Sequence, residues 1–141
     1  MAADSRNPLA VLRAELDFLE KGGYAHPARA AWRPHLMFQD SPTCLNFEPT
    51  QQRKPCSECV LMQFVPEDQR SKKIPCRYIP LDEEGKTVEF FYSYGSQEEL
   101  DTAVAQWLKT TIAHLEREHA KILKDREHIE VHVRAKFVSG G

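Results

Sequence analysis

All four cysteines of the chain fall within thirty-three residues, spaced Cys44-x11-Cys56-x2-Cys59-x16-Cys76. Two thiolates separated by two residues form a chelating turn, and one more from either side completes the tetrahedral sulfur set that Zn²⁺ prefers. The spacing therefore predicts a zinc site made by Cys44, Cys56, Cys59 and Cys76, and it requires the segment 41–81 to fold back on itself. Cytoplasmic thiols are kept reduced, so metal ligation fits these cysteines better than a pair of structural disulfides.

The central C-S-E-C pair is similar to the knuckle of zinc ribbons and treble clefs, although there is one knuckle and the outer cysteines are single. The alternatives are an iron–sulfur centre, a thiol-redox sensor, or cysteines that are simply small buried hydrophobes. Three sharper readings of the pair fail on context. A thioredoxin-like dithiol needs a helix N-terminus, whereas Cys59 runs into the apolar stretch Val60–Val65. Covalent haem needs a histidine where Val60 stands. A zinc deaminase needs an upstream H-x-E, and Cys44-Leu45-Asn46 has Asn in place of the acid–base Glu. If one cysteine were not a ligand, His35 is the nearest upstream histidine to take its place. His114 and His119 are five apart and point away from one another on a helix, while His128 and His132 fall in a charged stretch.

A set of four thiolates leaves no coordination position for water or substrate, so such a site is structural. The sequence has no Walker loop, G-x-G-x-x-G, G-x-S-x-G or H-E-x-x-H, and an enzyme is not predicted. Six basic residues between positions 53 and 77 (Arg53, Lys54, Arg70, Lys72, Lys73, Arg77) face three acidic ones, in a chain of net charge −2. Cations beside a thiolate centre offset its charge, and without aromatic interleaving they do not favour nucleic acid as the partner. A protein partner fits better. Val104, Leu108, Thr111, Leu115 and His119 form a second face of the last long helix that such a partner could cover, although core packing is the better reading of it, and the oligomeric state is not specified by the sequence. The terminal Ser139-Gly140-Gly141 fits a frayed end.

At 141 residues with 41% hydrophobic content, the chain is sized for a single domain spanning 1–141 with its own core. The amino end lacks a basic and apolar leader and no segment approaches a membrane span, which predicts a cytoplasmic location. Asn7-Pro8 starts a helix whose Leu9, Leu12, Leu16 and Leu19 recur at helical spacing until Gly22-Gly23. Pro27, Pro34 and Pro42 make 24–43 an extended connection anchored by Trp32 and Phe38. Val60–Val65 and Ile74–Leu81 have the composition of short strands, and the turn at 82–86 followed by Thr87–Tyr94 predicts a hairpin over 76–94. Ser96 with Glu99 is a capping box that opens a helix from about Gln97 to about Glu127. Ile129, Val131, Val133, Ala135 and Phe137 alternate with polar residues as in a strand. The expected class is α+β: a small mixed or antiparallel sheet, an N-terminal helix, one long C-terminal helix and the four-cysteine segment. The expected role is that of a cytoplasmic protein-binding or regulatory adaptor with a structural zinc site, the alternatives being a thiol-redox or iron–sulfur sensor and a zinc-stabilised nucleic-acid binder.

Overall fold

Local capping chemistry sets the first helix. The Asn7 side chain accepts the Leu9 N–H at 2.9 Å, Pro8 needs no intrahelical donor partner, and α1 runs over Pro8–Glu20. It ends where Gly22 takes φ 75°, a left-handed conformation that costs glycine little. The computed structural model describes residues 6–25, 36–47 and 54–139, with side chains as far as Glu127. Gly23 then lets the chain double back: a Cβ there would stand 2.4 Å from the Phe18 ring. Tyr24 can thus fold onto α1, meeting Phe18 edge-on at 4.8 Å.

The capping box forms as predicted, with Ser96 N–H donating to the Glu99 carboxylate at 2.9 Å and Glu99 N–H to the Ser96 hydroxyl at 3.1 Å. Leu100, Val104, Trp107, Leu108 and Ile112 are buried along the helix it opens. Their spacing by three and four residues is the face that α1 covers with Val11 and Leu12. Each such side chain contributes roughly 1.5–3 kcal/mol on burial. The two helices lie antiparallel, as Lys109–Glu20 at 3.6 Å and Arg13–Glu116 at 3.5 Å show. Both ion pairs are more than half exposed and stabilise little.

The predicted sheet is absent: among the described residues the chain is helical with no β-strand. Three regions, one of them the expected hairpin over 76–94, account for the difference. Val60–Phe64 is a 3₁₀ turn. A strand would send Phe64 to the opposite face from Leu61 and Val65, whereas the turn buries Leu61 and Val65 while Phe64 meets Trp107 edge-on at 5.5 Å. Pro75–Tyr78 is a second 3₁₀ turn, so the expected hairpin has no partner strand, although the turn at 82–86 forms and closes with Leu81 N–H to Lys86 C=O at 2.8 Å. Val88–Tyr94 is instead the helix α2, capped by the Thr87 hydroxyl on Phe90 N–H at 3.1 Å, and it buries Val88 and Phe91 three residues apart. The third segment is the predicted strand 129–137. The last helix, α3, runs through it from Gln97 to Ser139. With no sheet edge to join, continuing the helix satisfies each backbone N–H within the segment. Phe38 is buried as expected, and Trp32 lies outside the described residues. No helix among the described residues is long and apolar enough to cross a membrane.

Candidate metal centre

Each cysteine sits in a tight turn. Cys44 follows the turn Ser41–Cys44, its N–H donating to Ser41 C=O at 3.0 Å, and its own carbonyl accepts from Phe47 N–H at 3.1 Å. Cys56 opens a 3₁₀ turn closed by Cys59 N–H to Cys56 C=O at 3.0 Å, and the Cys59 carbonyl starts the next turn through Met62 N–H. Cys76 follows buried Pro75 in the turn Pro75–Tyr78. These turns are short and none is the start of an α-helix, so the C-S-E-C pair lacks the helix terminus that activates a redox dithiol, for a different reason than the predicted strand.

The three segments that carry the cysteines are joined by polar side chains. Asn46 donates from its amide to Lys54 C=O at 2.9 Å and accepts Lys54 N–H at 2.7 Å, a two-way clasp that brings the Cys44 segment beside the approach to Cys56. Arg77, next to Cys76, donates to Gln39 at 3.2 Å, pairs with Glu89 at 3.5 Å and lies 5.2 Å from the centre of the Tyr92 ring. The Tyr92 hydroxyl in turn accepts Met37 N–H at 2.8 Å. One guanidinium thereby ties the turn of Cys76 to α2 and to the loop that leads to Cys44. Burial raises the Tyr92 hydroxyl above the ordinary tyrosine range, against the Met37 hydrogen bond that lowers it.

That loop rests on a buried carboxylate. Glu15 is 1% exposed in the middle of the apolar face of α1. The Tyr24 hydroxyl donates to one of its oxygens and the Thr43 hydroxyl to the other at 2.6 Å. The Tyr24 oxygen also accepts Phe38 N–H at 2.9 Å, and Ser41 and Thr43 share a hydroxyl contact of 3.0 Å. Burial, and then the negative charge of Glu15, push the Tyr24 hydroxyl far above its usual value. Phe38 is held here at φ 65°, a strained conformation for a residue with a side chain, and its ring stands edge-on to Trp107 at 6.1 Å.

All four cysteines, each half-buried and none in a disulfide, line the same cavity of about 470 Å³. Phe38, Leu61, Val65 and Ile74 form its apolar wall, and Asp40 and Asn46 are among its polar residues. Burial, followed by the negative charge that Cys44, Cys59 and Cys56 would carry, pushes the Cys76 thiol up from 9.0 to about 12, with Arg77 opposing the rise. The four sulfurs are therefore electrostatic neighbours. Among the described residues, no three or more His, Cys, Asp or Glu side chains form a group that could hold a metal ion as they stand. The thiols bound one cavity without three of them converging as a coordinating group. The donor set itself suits Zn²⁺: four soft sulfur ligands whose mutual repulsion as thiolates a divalent cation relieves.

His35 and Arg53 lie outside the described residues, and His114 and His119 are exposed. His128 and His132 belong to α3 and not to a strand. The basic stretch has more aromatic company than its sequence order suggests, because the Lys72 ammonium lies 5.6 Å from the centre of the Tyr78 ring. Sequence reasoning singled out the four cysteines but passed over Glu15, Tyr24, Asn46 and Arg77. Only Glu15 left a signal there, a charged residue three and four positions beyond Leu12 and Val11 on the apolar stripe. Comparisons with protein-family models, curated proteins and solved structures found no match.

Proposed function

We propose that Cys44, Cys56, Cys59 and Cys76 hold one Zn²⁺ and that the protein is a small cytoplasmic adaptor, binding or regulating a protein partner, and not a catalyst. The observation that carries this reading is that cysteines from three separate segments share one cavity, in which burial and then the charge of the other three raise Cys76. Bound zinc would supply a cross-link between these segments, and binding of roughly 10–16 kcal/mol is enough to determine whether short turns stay ordered. Four thiolates leave no open position for substrate chemistry. The adaptor half of the reading is supported by apolar surface outside the site: on α2, Tyr94 is 80% exposed and lies 5.4 Å, ring to ring, from exposed Phe90.

Elemental analysis of the purified protein should find about one zinc per chain, and the protein should be colourless. Brown colour with visible absorption would replace zinc by an iron–sulfur centre. Tight binding to RNA or DNA at physiological salt would favour a nucleic-acid role over the adaptor role. Chelation, or Cys56→Ser with Cys59→Ser, should remove hydrogen-exchange protection from 36–47 and 54–81 first while the buried half of α3 keeps it. Unchanged exchange in those segments would show that the cysteines do not hold the fold together.

A further inference from the structure

A second hollow, of about 500 Å³, lies where the 82–86 turn and α2 meet the first turns of α3, and it shares no lining residue with the cysteine cavity. Its floor is apolar: Leu81 and Phe91 are buried, and Ala103 packs partly on the core. Asp82 from the turn and Glu98 and Glu99 from α3 also line it. The Phe91 ring meets Phe90 edge-on at 5.4 Å, and Phe90 lies 5.4 Å from Tyr94. Since Tyr94 is 80% exposed, aromatic surface runs from the floor of this groove out to solvent.

Local bonds fix two of the acids. Asp82 accepts the Glu84 and Lys86 N–H groups at 3.0 Å each, and Glu99 accepts Ser96 N–H at 2.9 Å. These bonds use one oxygen of each carboxylate. Glu98 is exposed and has no hydrogen-bond or ion-pair partner among the described residues. Between Asp82 and Asp101 seven acidic residues stand against one basic residue, Lys86, in a chain of net charge −2. Lys86 already shows which chemistry the surface accepts: its ammonium pairs with Glu84 at 3.5 Å and lies 5.7 Å from the centre of the Phe90 ring.

Apolar surface in such a field selects its occupant by charge. Anionic lipid and nucleic acid are repelled. In a two-fold dimer the patch would meet itself, acid against acid. A cationic segment is attracted, and arginine suits every part of the groove: its plane stacks on exposed rings, its fork bonds carboxylates, and its stem covers apolar surface.

We propose that this groove docks a basic, arginine-bearing segment of a protein partner, an assignment that rests on the adaptor half of the proposed function and not on zinc. In fluorescence anisotropy, a short labelled peptide of alternating arginine and leucine should bind the full-length protein with a Kd of about 10–100 µM in low salt, and salt at about 300 mM should weaken it several-fold. Glutamine in place of arginine should weaken binding at least about tenfold, since the carboxylates then meet no cation. Glu98→Lys and Tyr94→Ala, both at exposed sites, should each weaken it at least about fivefold with the helical circular dichroism retained. Glu118→Lys makes the same charge change about 18 Å along α3 from Gln106 and should weaken it less than about twofold. No binding by about 1 mM protein, or an equal loss from Glu98→Lys and Glu118→Lys, would overturn the proposal. A glutamine peptide that binds as tightly would overturn the selection of a basic partner and leave an apolar docking face, so the adaptor reading would stand where this one fails. Zinc content measured on the same samples tests the metal separately.

Discussion

Replacing Tyr24 by Phe removes one oxygen from the interior and takes a hydrogen-bond partner from each of two groups. Glu15, at 1% exposure, loses the donor to one carboxylate oxygen, and Phe38 N–H loses its acceptor. A hydrogen bond to a charged group is worth about 1.5–3 kcal/mol, and a buried N–H left unpaired costs about 1–3 kcal/mol. Two effects offset part of that loss. Phe38 is free to relax from its φ of 65°, which stores about 1–3 kcal/mol, and Glu15 keeps its bond from Thr43. The net destabilisation should be about 2–4 kcal/mol, read as a lower urea midpoint at unchanged slope. Tyr94→Phe is the control: that ring is 80% exposed, and its change should stay within about 0.5 kcal/mol. Since Thr43 adjoins Cys44, Tyr24→Phe should also speed modification of the thiols in chelated protein. A loss under about 1 kcal/mol, or one matched by Tyr94→Phe, would refute the reasoning that the buried carboxylate organises this loop.

The raised Tyr24 and Tyr92 hydroxyls imply a definite alkaline limit. Unfolded tyrosine ionises near 10.0 while these two stay protonated in the fold, so the native state holds more protons above that pH and stability should fall as pH climbs past about 10. Denaturation of the metal-free protein followed from pH 8 to 11 should show stability falling from about 9, where the unfolded Cys76 thiol ionises, and more steeply past about 10, with the second part less steep in Tyr24→Phe; rising stability would contradict the assignment. Ser96→Ala breaks the capping box and should cost about 1 kcal/mol in a urea melt, since the Glu99 N–H loses its acceptor.

Features set by neighbouring residues were legible in the sequence. Asn7-Pro8 and Ser96 with Glu99 act through bonds spanning a few residues, and both helix starts fall where these signals stand. The strands were misjudged because a short apolar run does not specify its own period; its packing partner does. Phe64 had to reach Trp107 on the same side as Leu61 and Val65, and Phe91 had to lie beside Val88, and only helical turns achieve either. At 129–137 the alternation suggested a strand, yet a strand needs an edge to join and a helix does not. The cysteines were conspicuous by composition. The groups that position them were not, because Asn46 finds Lys54, and Arg77 finds Gln39 and Glu89, only after the chain has folded.

Phe38 sits where two demands on one residue conflict. Its backbone takes a conformation that glycine adopts without strain, while its ring fills the wall of the cysteine cavity and meets Trp107. Glycine would ease the main chain and open a hole in the core; leucine or isoleucine would keep apolar volume and retain or worsen the strain. No single substitution improves both, so sequence drift at this position is blocked from either direction. Change there needs a companion: a larger neighbour to fill the hole, or a loop of different length that no longer requires the turn.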